Sequence, residues 1–183
     1  MSAPHLYDGL GRGPANDVPL SPLGFLSRSA AIYPDRVAVI HGERRITYRE
    51  LRTRAARLAS ALAQIGVGER DTVSVVLPNV PAMLDVHNGV PMLGAVLNAI
   101  NTRLDSRTIA YILRHGEAKV LITDREFSPA VRAALAQLDK KPFVIDVDDP
   151  AYDGPGERIG EMEYEAFLGS GSPEFSPPPI RDE

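Results

Sequence analysis

"GAVLNAINTRLDSRTIAYILRHGEAKVLITD", Gly94 to Asp124, decides the fold class. Near its ends, "AVLNAI" and "AKVLIT" are short apolar runs of strand length. Between them, Asp105 or Ser106 is placed to cap a helix. Ile109, Ile112 and Leu113 then recur at helical spacing, and Gly116 stands where such a helix stops. A strand, a helix and a strand in that order form a crossover unit. Its strands run parallel and its connection is right-handed.

The same alternation continues outward. "TVSVVL" before the unit reads as a strand, and Asn79 is placed to cap a helix running from Val80 towards Gly94. Pro91 lies inside that pattern and predicts a kink or break, because proline removes a donor and clashes with the carbonyl of His87. After the unit, Ser128 and Pro129 open a helix carrying Val131, Leu135 and Leu138, and "PFVIDV" is a fourth strand. The strands are near-continuous apolar runs, which fits burial on both faces. The expected fold is α/β: a doubly wound, mostly parallel sheet with helices on both faces.

Upstream, Thr47 and Glu50 form a capping box. Leu51, Ala55, Leu58, Leu62 and Ile65 make one apolar stripe, and Gly66 suits a left-handed C-terminal cap. Arg49, Arg52, Arg54 and Arg57 occupy the other side, read as a solvated helix face. "RVAVIHG" and "RRIT" read as a hairpin. Ser21 and Pro22 open an earlier helix bearing Phe25, Leu26, Ala30 and Ile32, stopped by Pro34. Residues 1–20 are expected to form an irregular arm and residues 21–147 the α/β unit. Residues 148–183, with 6 Pro and 5 Gly, are expected to form a connector holding one short helix near "MEYEAFL".

The chain has 183 residues, 44% hydrophobic and 24% charged, which suits one globular domain. Its net charge of −4 is uneven. Residues 1–147 hold 18 basic and 14 acidic side chains, and residues 148–183 hold 2 and 10. Neither part has the strong basic stripe of a nucleic-acid binder. The absence of cysteine excludes disulfides and thiolate chemistry, and fits a cytoplasmic location. The opening residues lack the pattern of a signal peptide, and "GVPMLGAVLNAI" is too short to span a bilayer.

Catalytic motifs are scarce. "GLGRG" at Gly9 to Gly13 follows no strand, so it is not a dinucleotide fingerprint. No phosphate loop of the G-x-x-x-x-G-K-[ST] type and no G-x-S-x-G elbow occurs. His5, His41, His87 and His115 are scattered, so no metal centre is expected. Two features remain. The kink at Pro91 reads either as a bend that fits the helix to a curved sheet or as one that turns His87 or Asn88 towards a cavity. The loop "NTRLD" at Asn101 to Asp105 follows a strand and precedes a helix, where a doubly wound sheet presents residues to ligands. Arg103 there is suited to an anion, or to an ion pair with a neighbouring carboxylate.

Taken together, the segments resemble the AMP-forming acyl-CoA synthetases, the adenylating superfamily that includes luciferases and adenylation domains. The resemblance rests on Thr47 to Leu51 (T-Y-x-E-L), Gly66 to Val73, Leu77 to Asn79 (L-P-N) and Gly94 to Asp124. Glu69-Arg70 replaces the usual glycine before the aspartate. The likeness is close over residues 21–147 and looser in the tail.

It implies the N-terminal portion of a fatty or other aliphatic acid–CoA ligase, on which the remainder of the enzyme packs. ATP, CoA and Mg²⁺ would serve the full-length enzyme, with a carboxylic acid as substrate. The family's Ser/Thr/Gly-rich phosphate loop, which follows a segment like "PPIRDE", is absent. The chain alone is therefore expected to be inactive and to bind none of these ligands tightly. No catalytic or metal residue carries over. Arg103, in its N-x-R-L setting, carries over as a contact to the nucleotide end of CoA. Two other readings stay open: a stand-alone, non-catalytic binding module, and a nucleotide-dependent oxidoreductase.

Overall fold

The structure is a computed structural model that describes residues 11, 13 and 21–175. Most of the expected N-terminal arm, and the final stretch that includes "PPIRDE", lie outside the described residues.

The core is a five-stranded parallel sheet. Its strands are β3 (Thr72–Val76), β4 (Val96–Ala99), β5 (Val120–Asp124), β6 (Phe143–Val147) and β7 (Met162–Glu163), in the order β4-β3-β5-β6-β7. The antiparallel hairpin β1 (Val37–His41) and β2 (Arg44–Thr47) forms a separate two-stranded sheet. The doubly wound expectation holds. On one face, helices α1 (Leu23–Ile32), α2 (Tyr48–Gln64), α3 (Pro81–Met92) and α6 (Tyr164–Ser170) enclose a core that includes Leu58, Leu62, Val86 and Ile122. On the other, α4 (Ser106–His115) and α5 (Ser128–Leu135) enclose Ile109, Leu113, Leu121 and Val131. Every residue of β5 is buried, as a central strand covered on both faces must be.

Local chemistry sets the helix ends. The capping box of α2 forms: the Glu50 amide donates to the Thr47 hydroxyl at 3.2 Å, and the Thr47 amide donates to the Glu50 carboxylate at 2.7 Å. After α2, Gly66 takes a left-handed φ of 84°. Asp105, not Ser106, caps α4, accepting from the amides of Arg107 and Thr108. Asn79 does not cap α3. The helix starts at Pro81, and Val80 before it stays extended because the ring of the next proline disfavours helical geometry there. Ser21 likewise does not cap α1. Its hydroxyl accepts from the Leu23 amide at 3.3 Å, and Pro22 stands at the cap. Pro91 falls in the last turn, and α3 ends one residue later.

Two expectations are corrected by packing. Arg54 is not on a solvated face: its side chain is only 12% exposed. It donates bidentately to Asp85 of α3 at 2.8–3.2 Å and to Glu165 of α6 at 2.8 and 2.9 Å. The Tyr164 hydroxyl donates to the same Asp85 at 3.1 Å. Asp85 has no exposed surface, so its carboxylate requires these partners. The second concerns the connector. The short helix expected near "MEYEAFL" forms as α6, but the segment is packed: β7 lies beside β6, and α6 lays Tyr164, Phe167 and Leu168 into the first core.

Gly89 lets α2 and α3 meet. A Cβ there would lie 2.7 Å from the Ala55 carbonyl oxygen and 3.1 Å from Leu58.

Candidate functional site at the carboxyl edge of the sheet

The chain runs from β3 to β4 on one side, then crosses to β5 on the other. The carboxyl ends of β3, β4 and β5 therefore flank a topological switch point, where open α/β sheets bind ligands. The loop Asn101–Asp105 leaves β4 at this edge.

That loop is fastened at both ends. The Asn101 side chain accepts from the Arg103 amide at 2.9 Å. The Asp105 carboxylate caps α4 and also accepts from the Thr108 hydroxyl at 2.8 Å. These bonds hold the Asp105 pKa below the ordinary carboxylate range, with the Thr108 amide the leading cause. Arg103, on this fixed backbone, is exposed. Its guanidinium forms no ion pair among the described residues, so the alternative of a neighbouring carboxylate is not realised there. A delocalised cation with free forked donors on a rigid loop can bind a phosphate bidentately.

The other candidates from α3 do not join it. His87 and Asn88 turn back on their own helix. His87 Nδ1 lies 2.7 Å from the Met83 carbonyl oxygen, and the Asn88 amide donates to the Leu84 carbonyl at 2.8 Å. His87 is exposed, so the break at Pro91 brings it to no cavity.

Sequence reading missed a second cluster at this edge. His41 Nε2 lies 2.9 and 3.0 Å from the two oxygens of Asp149, tying the hairpin to the loop after β6. The pair borders a cavity of about 290 Å³ that Val80, Pro81, Val147 and Tyr164 also line. Asp124 and Asp146 are buried at the ends of β5 and β6. Asp124 accepts from the Glu126 amide at 2.9 Å, and Asp146 from the Gly160 amide at 2.7 Å. Burial pushes the Asp124 carboxyl up, and the charge of Asp149 adds to that. The available signal was an aspartate at or near the end of an apolar run, in "LITD" and "VIDV". These carboxylates fix the loops around the edge. Among the described residues, no group of three or more His, Cys, Asp or Glu side chains could hold a metal ion.

Known proteins agree with this architecture. The AMP-binding enzyme family matches residues 26–178. A peroxisomal acetate/butyrate–CoA ligase of Arabidopsis thaliana is 40% identical over 187 residues, covering 96% of this chain and 33% of the relative. A peroxisomal trans-cinnamate:CoA ligase of Petunia hybrida is 42% identical over 189 residues, with the same coverage of 96% and 33%. Among solved structures, an anthranilate CoA ligase in complex with anthranoyl-AMP superposes with a TM-score of 0.76 at 22% identity, covering 85% of this chain and 29% of that one. A benzoate CoA ligase from Burkholderia xenovorans gives 0.73 at 22% identity, covering 87% and 30%. At that identity the two structures speak to the fold. The chain spans about a third of the length of the curated relatives. With most of its length matched, this chain belongs to the AMP-binding enzyme family.

Proposed function

We propose that the chain is the N-terminal scaffold portion of an AMP-forming carboxylic acid–CoA ligase, acting on a fatty or other aliphatic acid. The family match across residues 26–178 carries this reading, and the relatives named for acetate, butyrate and cinnamate support the reaction class. In that reaction the acid's carboxylate oxygen attacks the α-phosphorus of ATP, forming an acyl-adenylate and releasing pyrophosphate. The CoA thiol then attacks the acyl carbon, losing its proton, and AMP leaves. Both steps need phosphate charge to be neutralised.

Within this division of labour, Arg103 meets a phosphate at the nucleotide end of CoA. Its guanidinium, exposed at the switch point and without an ion pair among the described residues, fits that anion. ATP and Mg²⁺ are held by parts of the enzyme beyond this sequence, which has no phosphate loop. By itself the 183-residue chain does not catalyse the reaction. Exposed Phe25, Ile32, Ile40, Leu84 and Val96 support a surface on which further polypeptide packs. Among the described residues, no helix is long and apolar enough to cross a membrane. The cytoplasm is the proposed location, on the cysteine-free composition. Since the two relatives are named as peroxisomal, cell fractionation against a peroxisomal marker separates the two compartments.

The test is Arg103→Ala in the full-length polypeptide, with the two half-reactions measured separately. The reading expects carboxylate-dependent ATP–pyrophosphate exchange to persist while the KM for CoA rises about tenfold or more, the loss of one charge-assisted contact. An equal fall in both half-reactions, or no change in either, contradicts the role given to Arg103.

A further inference from the structure

The arginines of α2 do more than pin helices together. Arg49, Arg54 and Arg57 join Arg44 and Arg45 of β2 along one open groove of about 370 Å³, bounded on its far side by Leu168 and Gly169 of α6. Only two carboxylates line it, Glu50 and Glu165. Both are committed: Glu50 to the cap of α2, Glu165 to Arg54. Arg54 is likewise consumed by Asp85 and Glu165.

Arg44 also faces Glu165, at 3.6 Å. Arg45, Arg49 and Arg57 keep donors to spare. Among the described residues, Arg45 bonds only the carbonyls of Gly42 and Arg44, through one nitrogen. Arg57 makes one long contact, 3.4 Å to the Gly169 carbonyl. Arg49 faces Asp35 at 3.1 Å with both side chains largely exposed, a pair of little strength. The lining thus carries three more positive than negative charges.

Its shape selects among anions. Arg49 and Arg57 are eight residues apart, about 12 Å along the helix axis, and Arg44 and Arg45 flank them on a strand. The charges are strung along the groove and do not converge on one point. The α2 N-terminus, where a single phosphate would otherwise sit, is filled by the Glu50 carboxylate. A line of separated cations matches a line of separated anions, such as carboxylates on alternate residues of an extended peptide, spaced about 7 Å apart.

We propose that this groove docks an extended acidic peptide segment of a partner protein. The role is separate from the ligase chemistry and does not depend on it.

The 183-residue chain itself serves as the test, with a fluorescein-labelled peptide of alternating glutamate and serine followed by fluorescence anisotropy. Saturable binding is expected at low salt, weakening as salt is raised. The triple variant Arg45→Ser/Arg49→Ser/Arg57→Ser is expected to lose about tenfold or more in affinity. The charge-matched triple Arg107→Ser/Arg114→Ser/Lys140→Ser removes exposed cations outside the groove and is expected to change affinity less than about twofold. Circular dichroism confirms that both variants fold. Absence of binding, equal loss in both variants, or tighter binding of tripolyphosphate or a short single-stranded DNA would overturn the proposal.

Discussion

The hairpin β1–β2 and the parallel sheet β3–β7 are built from similar apolar residues and meet opposite fates. In β5, Leu121 and Ile122 have no exposed surface, because helices cover both faces. In β1, Ile40 is 67% exposed and Val37 is also exposed. An isolated two-stranded ribbon is marginal in water and needs further strands or a helix to hold it. Here Val39 packs against the first core, Ile46 is buried in it, and the His41–Asp149 contact ties the end of β1 to the sheet. The central strands β3, β5 and β6 close their core, while the edge strand β4 leaves Val96 exposed. The hairpin presents an apolar surface that the described residues leave uncovered. The contrast is what the proposed scaffold role predicts.

The largest test of the self-sufficient region is Arg54→Ala. Removing Arg54 strands the buried Asp85 carboxyl, which is expected to cost about 3–5 kcal/mol in urea unfolding. Burial already pushes the Asp85 pKa up, and Arg54 and the Tyr164 hydroxyl oppose that shift. Loss of under about 1 kcal/mol would show that the α2–α3–α6 junction is not held by this network. Next comes Gly89→Ala. The added methyl group meets the Ala55 carbonyl, so α2 and α3 must separate, at about 1–3 kcal/mol by thermal melt. Unchanged stability would mean that the helices part freely.

Ile40→Ser probes the other side of the comparison. In this chain it is expected to shift stability by less than about 0.5 kcal/mol, as an exposed position does. In the full-length polypeptide the same change should cost about 1–3 kcal/mol, the value of a covered apolar side chain. Equal effects in the two settings would break the contrast between hairpin and sheet.

The smallest effect per group is the response to pH. Glu50, Asp71, Asp105, Asp148 and Glu157 have lowered folded pKa values, set by hydrogen bonds from Thr47, Lys119, Thr108, Arg158 and Arg132 respectively. Their stabilisation is complete above the unfolded carboxylate range of about 4 and is lost as pH falls through the folded values below it. Asp85 and Asp124 are raised, chiefly by burial, and act in reverse. Protonating them above about pH 4 favours the folded state. The urea midpoint should therefore hold or rise slightly on acidification towards pH 5, then fall below pH 4. A steady fall from pH 7 would contradict these assignments.

What was legible in the sequence follows from range. The strands β3, β5 and β6 showed as apolar runs because they are buried along nearly their whole length. The α2 cap showed because Thr47 and Glu50 are three residues apart. Asp105 and Arg103 were found together because one short loop carries both. The Arg54–Asp85–Glu165 network was hidden, since its partners come from three helices distant in sequence. An arginine on the polar side of an amphipathic helix gives no sign that a third helix covers it. The helix near "MEYEAFL" was legible and forms as α6, but its docking into the first core and the two-residue strand β7 were not, because Tyr164, Phe167 and Leu168 meet partners distant in sequence. His41 and Asp149 were separated by more than a hundred positions and carried no shared motif.

The most direct test of the central claim is to purify the polypeptide made by the native gene, measure its intact mass and assay ATP–pyrophosphate exchange with short-chain and longer aliphatic acids. The account predicts a mass well above the 19.8 kDa of this chain, exchange that depends on the acid, and CoA thioester formation. A product of 19.8 kDa, or a longer one with no carboxylate-dependent exchange, would contradict it.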